Sequence, residues 1–311
     1  MTGALPAVQE RLQCPIGEVD VIVGTSAGSI LAAALRCGAS IEELIAYQRG
    51  ELAGALRNAG VPEVTAGPWP PLPRWPVGSP RLMLASVLAP HRMHLSVSAS
   101  AWLPRGRARH EELHALVDSL HRHAHRNTAP DAAPPGWVGG GQTWIVAVDY
   151  DSGRRVIFGR AGAPQARLAD AVVASCSIPG WYEPARIAGR RYIDGGVRSP
   201  TSLGLVARAD LDEVYVLAPL ASVTRGRSKL PHERLERRLR QLITVGLLRE
   251  AEGLRSAGIR VTVLTPGPED LTVMGVNPMD PRRRKAVLET SLRSCPHAFA
   301  IPADGSQPLV A

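Results

Sequence analysis

An apolar run, Val21-Ile22-Val23, leads into Gly24-Thr25-Ser26-Ala27-Gly28-Ser29, and the small helix-forming stretch Ser29-Ile30-Leu31-Ala32-Ala33-Ala34-Leu35 follows at once. Few local patterns restrict a fold as tightly. A strand must end in a sharp turn, a helix must leave it immediately, and Ser26 sits at the apex of a G-x-S-x-G elbow. Glycines at 24 and 28 remove the Cβ atoms that such a turn would crowd. The Ala27 N–H then lies at a helix N-terminus, where it can face an anion. Taken alone, the pattern also describes an ordinary glycine-rich strand-to-helix turn.

A second strand-like segment, Arg191-Tyr192-Ile193, ends in Asp194-Gly195-Gly196, followed by Val197-Arg198-Ser199-Pro200. By itself Asp-Gly-Gly reads as a turn. Between the two motifs lie Leu168-Ala169-Asp170-Ala171-Val172-Val173-Ala174-Ser175-Cys176-Ser177-Ile178-Pro179-Gly180, a helix and turn, and two further strand patterns, Trp144–Asp149 and Arg154–Gly159. The two motifs in this order, with these segments and Met274-Gly275-Val276-Asn277-Pro278-Met279-Asp280-Pro281 near the C-terminus, make the chain resemble the patatin-like phospholipases, in particular bacterial, actinobacterial-type members. The resemblance extends over residues 3–295 apart from a variable middle.

That resemblance implies a three-layer α/β/α fold with a mostly parallel central sheet and a variable helical cap. It implies a serine lipid acyl hydrolase working through a Ser26–Asp194 dyad and an acyl-enzyme, with Gly24, Ala27, Gly28, Gly195 and Gly196 shaping the two turns. Neither a metal nor an organic cofactor is implied. The substrates would be lipid or fatty-acyl esters: phospholipid, lysophospholipid, neutral glyceride or thioester. A serine hydroxyl needs a partner to take its proton. A partly desolvated Asp194 would supply one, and the two glycines would let its backbone approach the elbow. In the family a strand and a glycine-rich loop carrying oxyanion donors precede the helix before the elbow. Here Met1–Leu12 resembles that helix already under way, so a deficit on the order of 15–20 residues is expected, from a start placed too late. Two alternatives stand beside this reading. One is a non-catalytic lipid-binding relative lacking the oxyanion loop. The other is an α/β-hydrolase whose triad would use His232 or His297.

Composition narrows the class further. The 311 residues are 45% apolar and 21% charged, which suits a globular protein, and the length allows one large domain or two small ones. No stretch of 18 apolar residues occurs, so no transmembrane helix is expected, and no signal peptide is visible. Cys14, Cys37, Cys176 and Cys295 are scattered without a C-x-x-C pair, consistent with reduced thiols in the cytoplasm. The net charge of +8 rests almost wholly on arginine, Lys229 and Lys285 being the only lysines. This charge suits peripheral contact with an anionic membrane. With aromatics at 4% and the basic residues dispersed, nucleic acid is not an expected partner.

Along the chain, strands are expected at 19–23, 143–149, 154–159, 190–194, 213–218 and 259–264. Helices are expected at 3–12, 26–37, from Ser40, and at 80–89, 107–124, 166–174, 200–208, 232–257 and 281–293. A single domain then spans 1–311, with a proline-rich cap or lid inserted at 62–141 and a loose tail at 302–311. Within the cap, Arg81–Ala89 is an apolar helix with Trp69, Trp75 and Trp102 nearby in sequence, suited to packing over the site or to meeting a membrane. In the helix at 232–250, Leu235, Leu239, Leu242, Ile243 and Leu247 form the expected core-facing stripe, with Arg240 among the residues on the solvated back. Asp149 and Asp151 are read as turn residues. The run His121-Arg122-His123-Ala124-His125 is read as a solvated helical patch with its rings on different faces.

Overall fold

The computed structural model describes residues 1–51, 54–58, 74–88, 94–126, 136–222, 231–275, 277 and 279–298. In chain order its elements are α1 (Leu5–Leu12), β1 (Val21–Thr25), α2 (Ala27–Arg36), α3 (Ile41–Arg49), α4 (Gly54–Asn58), β2 (Arg74–Val77), α5 (Pro80–Leu88), α6 (Leu95–Trp102), β3 (Pro104–Arg105) and α7 (Glu111–Arg126). There follow β4 (Gln142–Asp149), β5 (Arg155–Phe158), α8 (Leu168–Cys176), β6 (Ala185–Ile187), β7 (Arg190–Asp194), β8 (Glu213–Leu217), α9 (Pro231–Ser256), β9 (Arg260–Leu264), α10 (Pro268–Met274) and α11 (Arg284–Ala298). Residues 62–73, 89–93 and 127–135 of the expected 62–141 insert and all of the 302–311 tail lie outside the described residues.

The chain divides into two compact units. The first comprises residues 17–43 and 52–198 and holds both sequence motifs. Its core is a five-stranded mixed sheet flanked by helices. β4 is the central strand and is buried along almost its whole length. On one edge it pairs antiparallel with β5 over Ile145–Val148. The opposite edge is shared end to end by two strands. β1 runs parallel to β4 from Val21↔Gln142 to Thr25↔Val146, and β7 runs antiparallel from Asp149↔Tyr192 to Ala147↔Asp194. The C-terminal ends of β1 and β7 therefore meet at adjacent residues of β4, Val146 and Ala147.

The sheet is not mostly parallel, as expected, because β1–β4 is its one parallel pair among the described strands. The reason is connection length. A parallel link needs a crossover of a dozen or more residues, whereas β4 and β5 are joined by Tyr150–Arg154. β6 and β7 are joined by Ala188 and Gly189, with φ of 48° and 75°, the left-handed pair of a tight hairpin turn.

Helix α2 closes on Gly38, whose φ is 83°. Gly38 N–H bonds to Leu35 O and Ala39 N–H to Ala34 O, a Schellman ending. Ser40 and Glu43 exchange side-chain and backbone bonds in a capping box at the start of α3. Two residues before Gly38, buried Arg36 donates to Thr143 Oγ1 (3.1 Å) and to the carbonyls of Gly17 (2.7 Å), Val19 (2.6 Å), Gln142 (3.1 Å) and Gly140. These carbonyls flank the entrances of β1 and β4, so one guanidinium fastens the elbow helix to both strands. Arg36→Met would leave the buried Thr143 hydroxyl and four partly buried carbonyls without this donor and is expected to cost about 3 kcal/mol. Arg36→Lys should recover only part of it, because an ammonium cannot span the fork. Urea denaturation measures both, and an unchanged midpoint in Arg36→Met would remove this role.

The second unit comprises residues 1–16, 44–51 and 199–311. β8 and β9 pair in parallel from Glu213↔Arg260 to Leu217↔Leu264, and α9 lies in the connection between them. Its buried row is Arg240, Thr244, Leu247, Ala251 and Leu254, while Leu239 and Leu242 are exposed. This corrects the expected stripe at Leu239, Leu242 and Arg240, while Leu247 is buried as expected; the Leu235 side chain lies outside the described residues. Burial of Arg240 is offset by Glu236 Oε1 (2.8 Å) and the Pro219 carbonyl (3.2 Å).

Candidate active site

Ser26 occupies the turn between β1 and α2 with φ 53° and ψ −126°. An L-residue is rarely held there, and such strain is characteristic of functional turns. The surroundings account for its persistence. The Ser26 N–H donates to Ser175 Oγ (2.9 Å), and Ser175 Oγ donates to the Val146 carbonyl (2.7 Å). The Ser26 carbonyl accepts from the N–H of Ser29 (2.7 Å) and from its hydroxyl (2.6 Å). Both Ser29 and Ser175 are wholly buried.

The glycines of the elbow play different parts. A Cβ on Gly24 would lie 2.6 Å from Ser29 Cα and 2.7 Å from the Gly28 carbonyl, so only glycine fits. A Cβ on Gly28 would meet nothing within 4 Å. The expectation that crowding demands both glycines is thus corrected. Position 28 is open because it lies in the first turn of α2, beyond the tight part of the elbow.

Asp194 ends β7, 4% exposed. Its N–H bonds to the Ser177 carbonyl (2.9 Å), and its Oδ1 accepts the Gly196 N–H (2.7 Å). The Ser26 hydroxyl lies near enough to favour its charged form. Burial pushes the Asp194 carboxyl up to about 6, against the smaller opposing effects of the Ser26 hydroxyl and Gly196 N–H bonds. A Cβ on Gly195 would lie 2.4 Å from the Val146 carbonyl, and one on Gly196 would lie 3.0 Å from Asp194 Oδ1. The Asp-Gly-Gly turn can therefore press against β4 only with glycine at 195, while a side chain at 196 would crowd the Asp194 carboxylate itself.

The sites not brought here are equally definite. Asp149 Oδ1 accepts the N–H groups of Asp151 (3.0 Å) and Ser152 (2.9 Å), and Asp151 pairs with Arg191. Both aspartates belong to the β4–β5 turn. His110 Nε2 addresses the Cys176 carbonyl (3.0 Å) while its ring stacks on Tyr182. Burial lowers its pKa. His121 and His125, four residues apart, share a face and both reach the Trp137 carbonyl, correcting the expectation of separate faces. Among the described residues no group of three or more His, Cys, Asp or Glu is placed to hold a metal. The side chains of His232 and His297 lie outside the described residues.

Sequence reasoning gave no role to Ser175 or Ser29. The available signal was a hydroxyl at each of two otherwise small, apolar helix positions, since a buried polar group needs a partner.

The fold and site define a mixed-sheet α/β protein in which a strained elbow serine and a buried aspartate meet at adjacent residues of β4. A family model for patatin-like phospholipases matches residues 2–206, and the chain belongs to the patatin-like phospholipase family. That family comprises lipid acyl hydrolases, typically serine hydrolases, so lipids are the implied substrates. A search of curated proteins returns no match to the chain.

Proposed function

We propose that this protein hydrolyses carboxylic esters of lipids by acyl transfer, with Ser26 as nucleophile and Asp194 as its base. The observation that carries the reading is the meeting of β1 and β7 at Val146 and Ala147 of β4, which brings the elbow serine to a buried carboxylate whose pKa burial has raised to about 6. A carboxylate desolvated to that degree is a stronger base than an exposed one yet remains ionised at neutral pH.

As Ser26 Oγ attacks the ester carbonyl carbon, its proton passes to Asp194. The tetrahedral intermediate collapses, the alkoxide leaves with that proton, and the acyl group stays on Ser26. Water then attacks the acyl-serine, giving a proton to Asp194; the Oγ–acyl bond breaks, Asp194 returns that proton to Ser26 Oγ, and the fatty acid departs. The developing oxyanion needs donors. The Ser26 N–H is already engaged by Ser175. The Ala27 and Gly28 N–H groups open α2 and have no intrahelical acceptor. The open space over Gly28 supports an approach of the substrate from that side.

The test is a rapid acid quench during turnover of a long-chain acyl ester, followed by peptide mass spectrometry. An acyl adduct is expected on the peptide containing Ser26. Absence of any adduct with an inert protein would favour the non-catalytic lipid-binding reading, and an adduct elsewhere would displace Ser26. Ser175 provides a further check. Ser175→Ala leaves the Ser26 N–H and Val146 carbonyl without their buried partner. We expect a loss of about 1–3 kcal/mol in stability, with kcat reduced about tenfold and KM little changed, because the elbow loses its positioning bond. A stable variant with full kcat would show that the strained turn holds without it.

A further inference from the structure

Helices α5 and α6 pack beside one another and turn one side of each inward. Leu82, Val97 and Ala101 are buried in a cluster with Val148, Tyr150 and Ile193. Ile193 immediately precedes Asp194, and the Ser96 hydroxyl bonds to the carbonyl of Val197 in the turn that follows it. The outer sides are apolar as well. Leu84, Val87 and Leu88 recur at helical spacing on α5, at 61%, 66% and 73% exposure. Leu95 (86%) and Trp102 (57%) stand seven residues apart on α6, with exposed Leu103 next. Six large apolar side chains left in water on two adjacent short helices mark an interaction surface.

Charge selects the occupant. Neither α5 nor α6 contains an acidic residue. Arg81 lies on α5, Arg105 just beyond α6, and Arg198 close enough to His94, which precedes α6, to help burial lower its pKa. None of these three arginines forms an ion pair among the described residues. Two copies docking through this face would bring like charges together, whereas anionic headgroups would match the arginines and acyl chains the leucines. With 9 and 8 residues, the helices are too short to span a bilayer and suit lying in its surface.

We propose that the outer face of α5 and α6 docks on an anionic phospholipid surface, beside the turn that carries Asp194. The choice of a lipid surface rests on the lipid-hydrolase reading, but the binding experiment does not require turnover. Ser26→Ala protein is sedimented with phosphatidylglycerol/phosphatidylcholine vesicles and with pure phosphatidylcholine vesicles. Binding is expected to the first, weaker to the second, and to fall as salt rises. The double change Leu84→Asp and Leu88→Asp should lower partitioning at least about tenfold, while Leu239→Asp with Leu242→Asp on α9 should leave it intact.

A second measurement stands even if the α5 variant folds poorly. Vesicles with brominated acyl chains should quench tryptophan fluorescence, and Trp102→Phe should remove most of that quenching. No vesicle binding, quenching that survives Trp102→Phe, or loss caused by the α9 pair alone would overturn the proposal. So would a concentration-dependent dimer that Leu88→Asp dissolves. Vesicle binding by a protein that forms no acyl-enzyme would uphold the docking face and reject the hydrolase reading. Acyl-enzyme formation without vesicle binding would do the reverse.

Discussion

Ser26→Ala is expected to lower ester hydrolysis by about 10⁴-fold or more and to abolish labelling by a fluorophosphonate. Such probes phosphonylate an activated hydroxyl and leave ordinary serines alone. The change deletes one oxygen, and the backbone bonds of the elbow use the Ser26 N–H and carbonyl, which alanine retains. The variant should therefore fold, and circular dichroism with a thermal melt checks that it does. It also removes the hydroxyl that, with the Gly196 N–H, holds the Asp194 carboxyl's pKa down. Equal labelling in the folded variant would sink the nucleophile assignment.

The two halves of this site were unequally legible in the chain. Gly24, Ser26, Asp194 and Gly195 are local signals, because each turn demands particular residues within a few positions. Their meeting is not local. It follows from β1 and β7 sharing one edge of β4, with Thr25 opposite Val146 and Asp194 opposite Ala147. Hydrophobic periodicity marks β4 as buried but carries no information on which strand takes which half of its edge. For the same reason alternating strands and helices suggested parallel pairing, while the short links Tyr150–Arg154 and Ala188–Gly189 held the contrary signal. Ser175 escaped because its importance lies in bonds to residues 149 and 29 positions away. Arg240 escaped because helical spacing ranks an arginine as outward unless its buried partners are known. The family resemblance supplied the pairing of Ser26 with Asp194. The strained turn, the open space at Gly28 and the engaged Ser26 N–H are contributions of the fold.

Asp194→Asn should reduce turnover by about 10²-fold or more, since the amide keeps the carboxylate's shape and cannot take a proton. With the native residue, kcat/KM should rise with pH through an apparent pKa of about 6, as Asp194 loses its proton and becomes competent. In the Asn variant that acidic limb should vanish from the residual rate. Stability should move the opposite way. The folded carboxyl titrates at about 6 against a reference of 3.8. Between those values the native state binds a proton that the unfolded chain does not, so native stability falls as pH rises through this window. The shift corresponds to about 3 kcal/mol of desolvation cost once Asp194 is ionised, and the amide avoids it. Asp194→Asn is accordingly expected to melt higher than the native protein above pH 6, with the advantage fading as pH falls from about 6 to about 4 and lost below that. Melting curves and pH–rate profiles on the same two proteins test both consequences together. Near-native turnover would move the base to another residue. An acidic limb unchanged by the substitution would assign it to a group other than Asp194, and a stability gap independent of pH would detach the carboxyl's burial from its titration.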